Sequence, residues 1–171
     1  MSIDNVRKSI EAAIDYLNQH PHEARYTDTA ATATIEDTLR CHASAPDGTA
    51  VNSDMPSSVG GAGSAPSPGW LMRAALANCD ATLIAMRAAQ VGIRLTDLEV
   101  VVDSESDDRG LLGIDDSVPA GPLSMRTRIR IAAEGASEDG LREIIEWAEK
   151  HSPVADAIRR AVPTSNEVEF K

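Results

Sequence analysis

Aromatic residues are the first shortage: Phe, Trp and Tyr make up 3% of the 171 residues. The core must therefore be built from Ala, Val, Leu, Ile and Met, whose small side chains each bury little area. A chain of this kind gains by burying more surface against a second copy, so a homo-oligomer is expected. Cysteine is scarce too, with only Cys41 and Cys79. That excludes a secreted disulfide scaffold, which carries more cysteines in a shorter chain. Positive charge is in deficit: 16 Lys and Arg against 27 Asp and Glu leave a net charge of −11. Phosphates reward a basic patch, so neither nucleic acid nor an anionic membrane is an expected partner. No apolar run reaches membrane-spanning length without a charge. The segment from Met1 to Leu17 is amphipathic and carries acids, unlike a signal peptide. The expected address is the cytoplasm, where thiols stay reduced unless they are catalytic.

Several chemical signatures are missing as well. There is no G-x-S-x-G elbow, and Gly61-Ala62-Gly63-Ser64 lacks the strand-to-helix setting of one. The dinucleotide fingerprint G-x-G-x-x-G is absent. His20, His22, His42 and His151 are scattered. His20 and His22 near Glu23 form a turn or, at most, a weak metal site. No metal and no cofactor is expected.

What is present is a clear alternation of periods. Ile3, Val6, Ile10, Ala13, Ile14 and Leu17 recur at helical spacing, and His20-Pro21 ends that helix. It can pack on the body of the protein or on a partner. From Arg25 to Ser53 the pattern turns to strands: Thr29 to Glu36, then Leu39, Cys41 and Ala43 alternating with polar residues, then Thr49 to Ser53. The turn Ala45-Pro46-Asp47-Gly48 helps join them as an antiparallel meander. The Gly, Ser and Pro of Pro56 to Pro68 make either a flexible linker or, as we prefer, an ordered approach to the next helix. Ser67 is its N-cap and Pro68 opens its first turn.

The helix from Pro68 to about Val91 is mostly apolar all round and is expected to be buried on most faces. Arg73, Asp80 and Arg87 form one stripe on it. Cys79 lies in an apolar row with Met72, Ala75, Leu76, Leu83 and Met86, and Gly92 is the stop. Beyond it, Leu98, Val100 and Val102 oppose Asp97, Glu99 and Asp103. Leu123 to Ile131 alternate with Arg126, Arg128 and Arg130. The acidic and basic faces pair these two strands antiparallel. The arginines are either an anion site or an ion-pair ladder. The connection from Ser104 to Pro122 is acidic and glycine-rich, expected exposed over an edge. Ser137 caps a helix that ends at His151, Ser152 caps a short helix from Pro153 to Val162, and Thr164 to Phe170 reads as a last edge strand.

One residue stands out chemically. Cys79 is either a small buried hydrophobe or a reactive thiol. Asn78 and Asp80 beside it are odd in an apolar helix and can hold a pocket open to solvent. Arg73 or Arg87 can favour a thiolate there, and Asp80 opposes it.

The residues from Gly63 to Cys79, GSAPSPGWLMRAALANC, resemble the "SP-x-x-LL-x-AAL-x-x-C" helix of the OsmC/Ohr family. Glu149-Lys150-His151-Ser152-Pro153-Val154-Ala155-Asp156 resembles that family's second motif, His-Cys-Pro-Val-Ser. The order of elements agrees, over about Arg25 to Phe170. The resemblance implies an α+β fold with antiparallel sheets packed around a long central helix, in an intertwined homodimer. It implies an OsmC-like domain at 25–171 and a helical extension at 1–24. It further implies thiol-dependent reduction of organic hydroperoxides, with Cys79 as the attacking cysteine and a thiol reductant as second partner. The position of the family's resolving cysteine is Ser152, which forms no disulfide but can hydrogen-bond a sulfenate. An activating arginine in the loop before the helix has no counterpart in Met55 to Gly61. A glutamate after the opening Pro is replaced by Gly69 and Trp70. A two-cysteine mechanism at these positions is excluded, and Cys41 is the only other thiol. Two readings stay open: a one-cysteine peroxidase, or a non-catalytic module that binds a small apolar or sulfur-containing ligand at the dimer interface or senses redox state.

Overall fold

The computed structural model describes residues 2–170. Helix α1 (Ile3–Gln19) is capped by Ser2, whose hydroxyl accepts from the Asn5 amide, and it stops where Pro21 requires. A meander follows: β1 (Thr32–Asp37), β2 (Arg40–Ser44) and β3 (Ala50–Ser53), in sheet order β1-β2-β3. The turn between β1 and β2 places Thr38 at φ 46°, and a register shift between Ile35 and Asp37 accompanies it.

The segment before the long helix is ordered rather than a loose linker. Asp54 is buried and accepts hydrogen bonds from the Met55 amide, the Ser64 amide and the Ser64 hydroxyl. Gly61 passes so close that a Cβ there would sit 1.9 Å from the Met55 carbonyl oxygen. The donors from Ser64 hold the Asp54 carboxyl below its ordinary range, against the opposing effect of desolvation. The loop therefore binds the anion. Its contribution to stability is complete above the ordinary carboxylate value of about 3.9 and is lost as pH falls through the lower folded value. Asp54→Asn should remove that part of the acid dependence of unfolding, measured by circular dichroism between neutral and acid pH.

Helix α2 (Pro68–Gln90) starts as expected, with the Trp70 amide donating to the Ser67 hydroxyl. It ends at Gly92, whose φ of 76° only glycine adopts without strain. β4 (Leu95–Glu105) and β5 (Ser124–Ala133) pair antiparallel, with Leu98 opposite Ile131 and Val100 opposite Ile129. On the outer face Arg126 and Arg128 pair with Asp103, and Arg130 with Asp97 and Glu99. The arginine row is thus an exposed ion-pair ladder, with every guanidinium matched to a carboxylate. Between these strands lies a short helix, α3 (Asp108–Leu111). Helix α4 (Glu138–His151) is capped by Ser137 and α5 (Pro153–Arg159) by Ser152.

The core is small and sits where α2, α4 and the β4–β5 sheet meet. Ile84, Ala88, Ile144 and Ala148 are buried together, with Leu98, Val100, Ile129, Ile131 and Trp147 packed around them.

Three expectations are corrected. Residues 161–170 form no strand: they pair with none of the five strands, and a strand exists only by such pairing. Helix α5 stops at Arg159, before Val162. Within one chain α2 is buried on one side only, through Leu76, Asp80, Ile84, Ala88 and Ala89, while Ala75, Asn78, Thr82 and Ala85 are exposed. Its low polarity reflects more than the packing that this single chain supplies.

Candidate functional site around Cys79

Cys79 lies in the fourth turn of α2, half-buried, and faces the junction of α4 and α5. That junction is a single residue, Ser152, which ends α4 and caps α5. Ser152 has no exposed surface. Its hydroxyl accepts from the Ala155 amide at 3.3 Å and donates to the Cys79 sulfur at 3.2 Å. A hydroxyl has one proton to give and lone pairs to receive, so both contacts are satisfied at once. The cap fixes the hydroxyl, and the hydroxyl fixes the sulfur. Two residues 73 positions apart in sequence are brought into contact, at the meeting of the two segments singled out in the sequence.

The surrounding charges are arranged differently from the expectation. Arg73 donates to the Ser104 hydroxyl at 3.2 Å. Arg87 donates to Gln90 and lies over the Trp147 ring, 5.1 Å from its centroid. Neither guanidinium is hydrogen-bonded to Cys79. Asn78 is exposed, and its amide donates to the Ala74 carbonyl one turn back, so it bonds onto its own helix rather than opening a pocket at the sulfur. Asp80 turns into the protein on the face of Leu76 and Ile84. Cys41 sits in β2 opposite Ser53 and Ile35, and both cysteines are free thiols. The early histidines are engaged locally: His20 stacks on Tyr16, and His22 pairs with Glu23 at 3.6 Å. Among the described residues, no three His, Cys, Asp or Glu side chains converge as metal ligands would.

Space for an apolar molecule lies at the N-terminal end of α2. A cavity of about 560 Å³ is walled by Met55, Val59, Met72, Leu111, Leu112 and Pro122. Met72 is two helical turns before Cys79 on the same row, about 10 Å along the axis at 1.5 Å per residue. Sequence reasoning found Cys79 and Ser152 but passed over Asp54, which looked like part of a polar loop. The only available signal was an acid set among Pro, Ser and Gly, where a side chain must supply the hydrogen bonds that regular structure does not.

The fold recurs in solved structures. An OsmC-like protein from Mycoplasma pneumoniae aligns with a TM-score of 0.67 at 15% identity, covering 80% of this chain and 91% of that one. An organic hydroperoxide resistance protein OsmC from Legionella pneumophila gives 0.57 at 21% identity, covering 79% and 91%. An organic hydroperoxide resistance protein from Elizabethkingia anophelis gives 0.58 at 18%, covering 80% and 91%. At these identities the likeness establishes the α+β fold and its antiparallel sheets. No curated protein matches the sequence. The description "OsmC-like protein" matches residues 61–167, which include α2 with Cys79 and the α4–α5 junction with Ser152. With more than half of its length matched, and with Cys79 and Ser152 both inside the match, the chain belongs to the OsmC-like protein family.

Proposed function

We propose that this chain reduces organic hydroperoxides through one cysteine, Cys79, with an external thiol restoring it. The contact between the Ser152 hydroxyl and the Cys79 sulfur carries the reading. A buried, doubly bonded hydroxyl at a half-buried thiol positions the sulfur and offers a donor to an oxygen bound on it. The cap of α5 uses only the acceptor side of this hydroxyl, through the Ala155 amide, and leaves its proton for the sulfur.

The chemistry balances without a second protein thiol. The Cys79 thiolate attacks the outer oxygen of the hydroperoxide, the O–O bond breaks, and the alkoxide leaves as an alcohol on taking a proton. Cys79 is then a sulfenic acid. An external thiol attacks the sulfenic sulfur and releases water, giving a mixed disulfide. A second thiol displaces Cys79 and leaves as the external disulfide. Ser152 donates to the sulfenic oxygen until that oxygen leaves as water. The apolar cavity along the Met72 row suits a hydroperoxide with a hydrocarbon body. In the family setting, residues 25–171 form the working domain and 1–24 an extension, which docks through α1 onto α2.

The homodimer belongs to the same proposal. Ile35 is 72% exposed on β1 and Trp70 50% exposed on α2, and β1, β2 and β3 contain no buried residue. A sheet with no buried face and large apolar side chains such as Ile35 left open is stabilised when a second copy covers it.

A second reading rests on the placement of Arg73 and Arg87 away from the sulfur. Without a cation beside Cys79, the same cavity serves a module that holds a small apolar ligand without turning it over. Consumption of cumene hydroperoxide with dithiothreitol separates the two. Catalysis by the wild type that is lost in Cys79→Ser supports the peroxidase; equal rates for the two proteins refute it.

A further inference from the structure

We propose that the cleft between α2, β5 and α5 binds a small organic cation through the carboxylate of Asp80. The proposal is independent of the reaction at Cys79. Asp80 is 4% exposed, and its Oδ1 is buried with no hydrogen-bond partner. It lines a cleft of about 310 Å³, at the small end of ligand sites.

The walls decide the ligand's class. Leu76, Met125 and Ile158 are apolar, so the body of the ligand is a short hydrocarbon. The ionisable neighbours are Glu149 and Arg159. The Arg159 guanidinium donates to the Glu149 backbone carbonyl at 2.7 Å and forms no ion pair with Asp80 among the described residues. Two carboxylates against one guanidinium leave the cleft negative, so a cation is favoured over an anion. Thr127 of β5 adds a hydroxyl to the lining of the same cleft. A metal ion is disfavoured because the described residues supply no set of three ligating side chains. A primary ammonium meets the requirements: it donates up to three hydrogen bonds and forms charge-assisted bonds with a carboxylate.

The residues that line the cleft come from α2, β5, α4 and α5 of one chain. Asp80 shares its helix face with Leu76 and Ile84, which are buried by the chain's own elements. The exposed stripe of α2, through Asn78 and Thr82, points elsewhere.

The test is a titration of the full ¹⁵N-labelled chain with n-butylammonium chloride, with n-butanol and sodium chloride as matched controls. Saturable amide shifts at Asp80, Ala155 and Ile158 are expected with butylammonium, at an affinity at least tenfold above that for butanol. Asp80→Asn, which keeps the shape and removes the charge, should abolish that preference. Absence of saturable shifts in the wild type, meaning a cleft that water alone satisfies, overturns the proposal. So does equal affinity for butanol, a comparison made on the wild type and unaffected by how the variant folds. Undiminished butylammonium binding in Asp80→Asn overturns it too.

Discussion

Ser152→Cys should close a disulfide with Cys79 when the protein meets an organic hydroperoxide. The Ser152 oxygen already lies 3.2 Å from the Cys79 sulfur. A disulfide needs the two sulfurs about 2.0 Å apart and the Cα atoms within about 7 Å. The required approach is about 1 Å, and it falls on a helix junction rather than inside a helix. Once Cys79 is a sulfenic acid, the new thiol attacks it faster than any external one, because it is held in place rather than diffusing. The oxidised variant should lose two hydrogens in its intact mass and keep Cys41 as its one titratable thiol. Its recycling should shift from monothiols toward dithiols, which reduce disulfides by forming a ring. Failure to form the bond under excess hydroperoxide would show that the hydroxyl and the sulfur are not neighbours in solution.

The second large effect is on stability. Ile84→Ala should cost about 3 kcal/mol, within the range for removing a buried branched side chain. Ile84 is 1% exposed and packs against Ile144, itself 2% exposed, and against Ala88 and Ala148. Two of those three neighbours are alanines with no side-chain freedom to collapse into the gap, so the cavity stays open. At this chain length about 3 °C accompanies each kcal/mol, giving a fall in Tm of about 10 °C. Differential scanning calorimetry measures it. A fall of only one or two degrees would mean that the buried cluster is not the core.

Much of this arrangement is legible from residue order. Ser67, Ser137 and Ser152 announce helix starts because a side-chain oxygen must serve amides that have no partner in the first turn. Gly92 announces a stop for the converse reason. The acid and arginine faces of β4 and β5 fix their pairing, since a register slip by one residue would turn Leu98 and Ile129 to water. The tail around Val168 and Phe170 was misread because alternation is a local property and strand formation is not. The placement of Arg73 and Arg87 was also hidden. Spacing puts them on the stripe of Asp80, but the partners that draw their guanidiniums away, Ser104 and Trp147, come from distant segments.

The site divides in the same way. Cys79 and Ser152 are recognisable from their motifs, and the structure brings them into contact. That Asp80 keeps an unpartnered oxygen inside the protein is a tertiary fact. It depends on which way one turn of α2 faces, and on Arg159 being held by a carbonyl.

The most direct measurement is mass spectrometry of the protein after one equivalent of cumene hydroperoxide, quenched with dimedone. The expected result is one dimedone adduct per chain, mapped to the peptide that contains Cys79, with Cys41 unmodified. An unmodified Cys79, or adducts shared equally between the two cysteines, would contradict the assignment of Cys79 as the reacting sulfur.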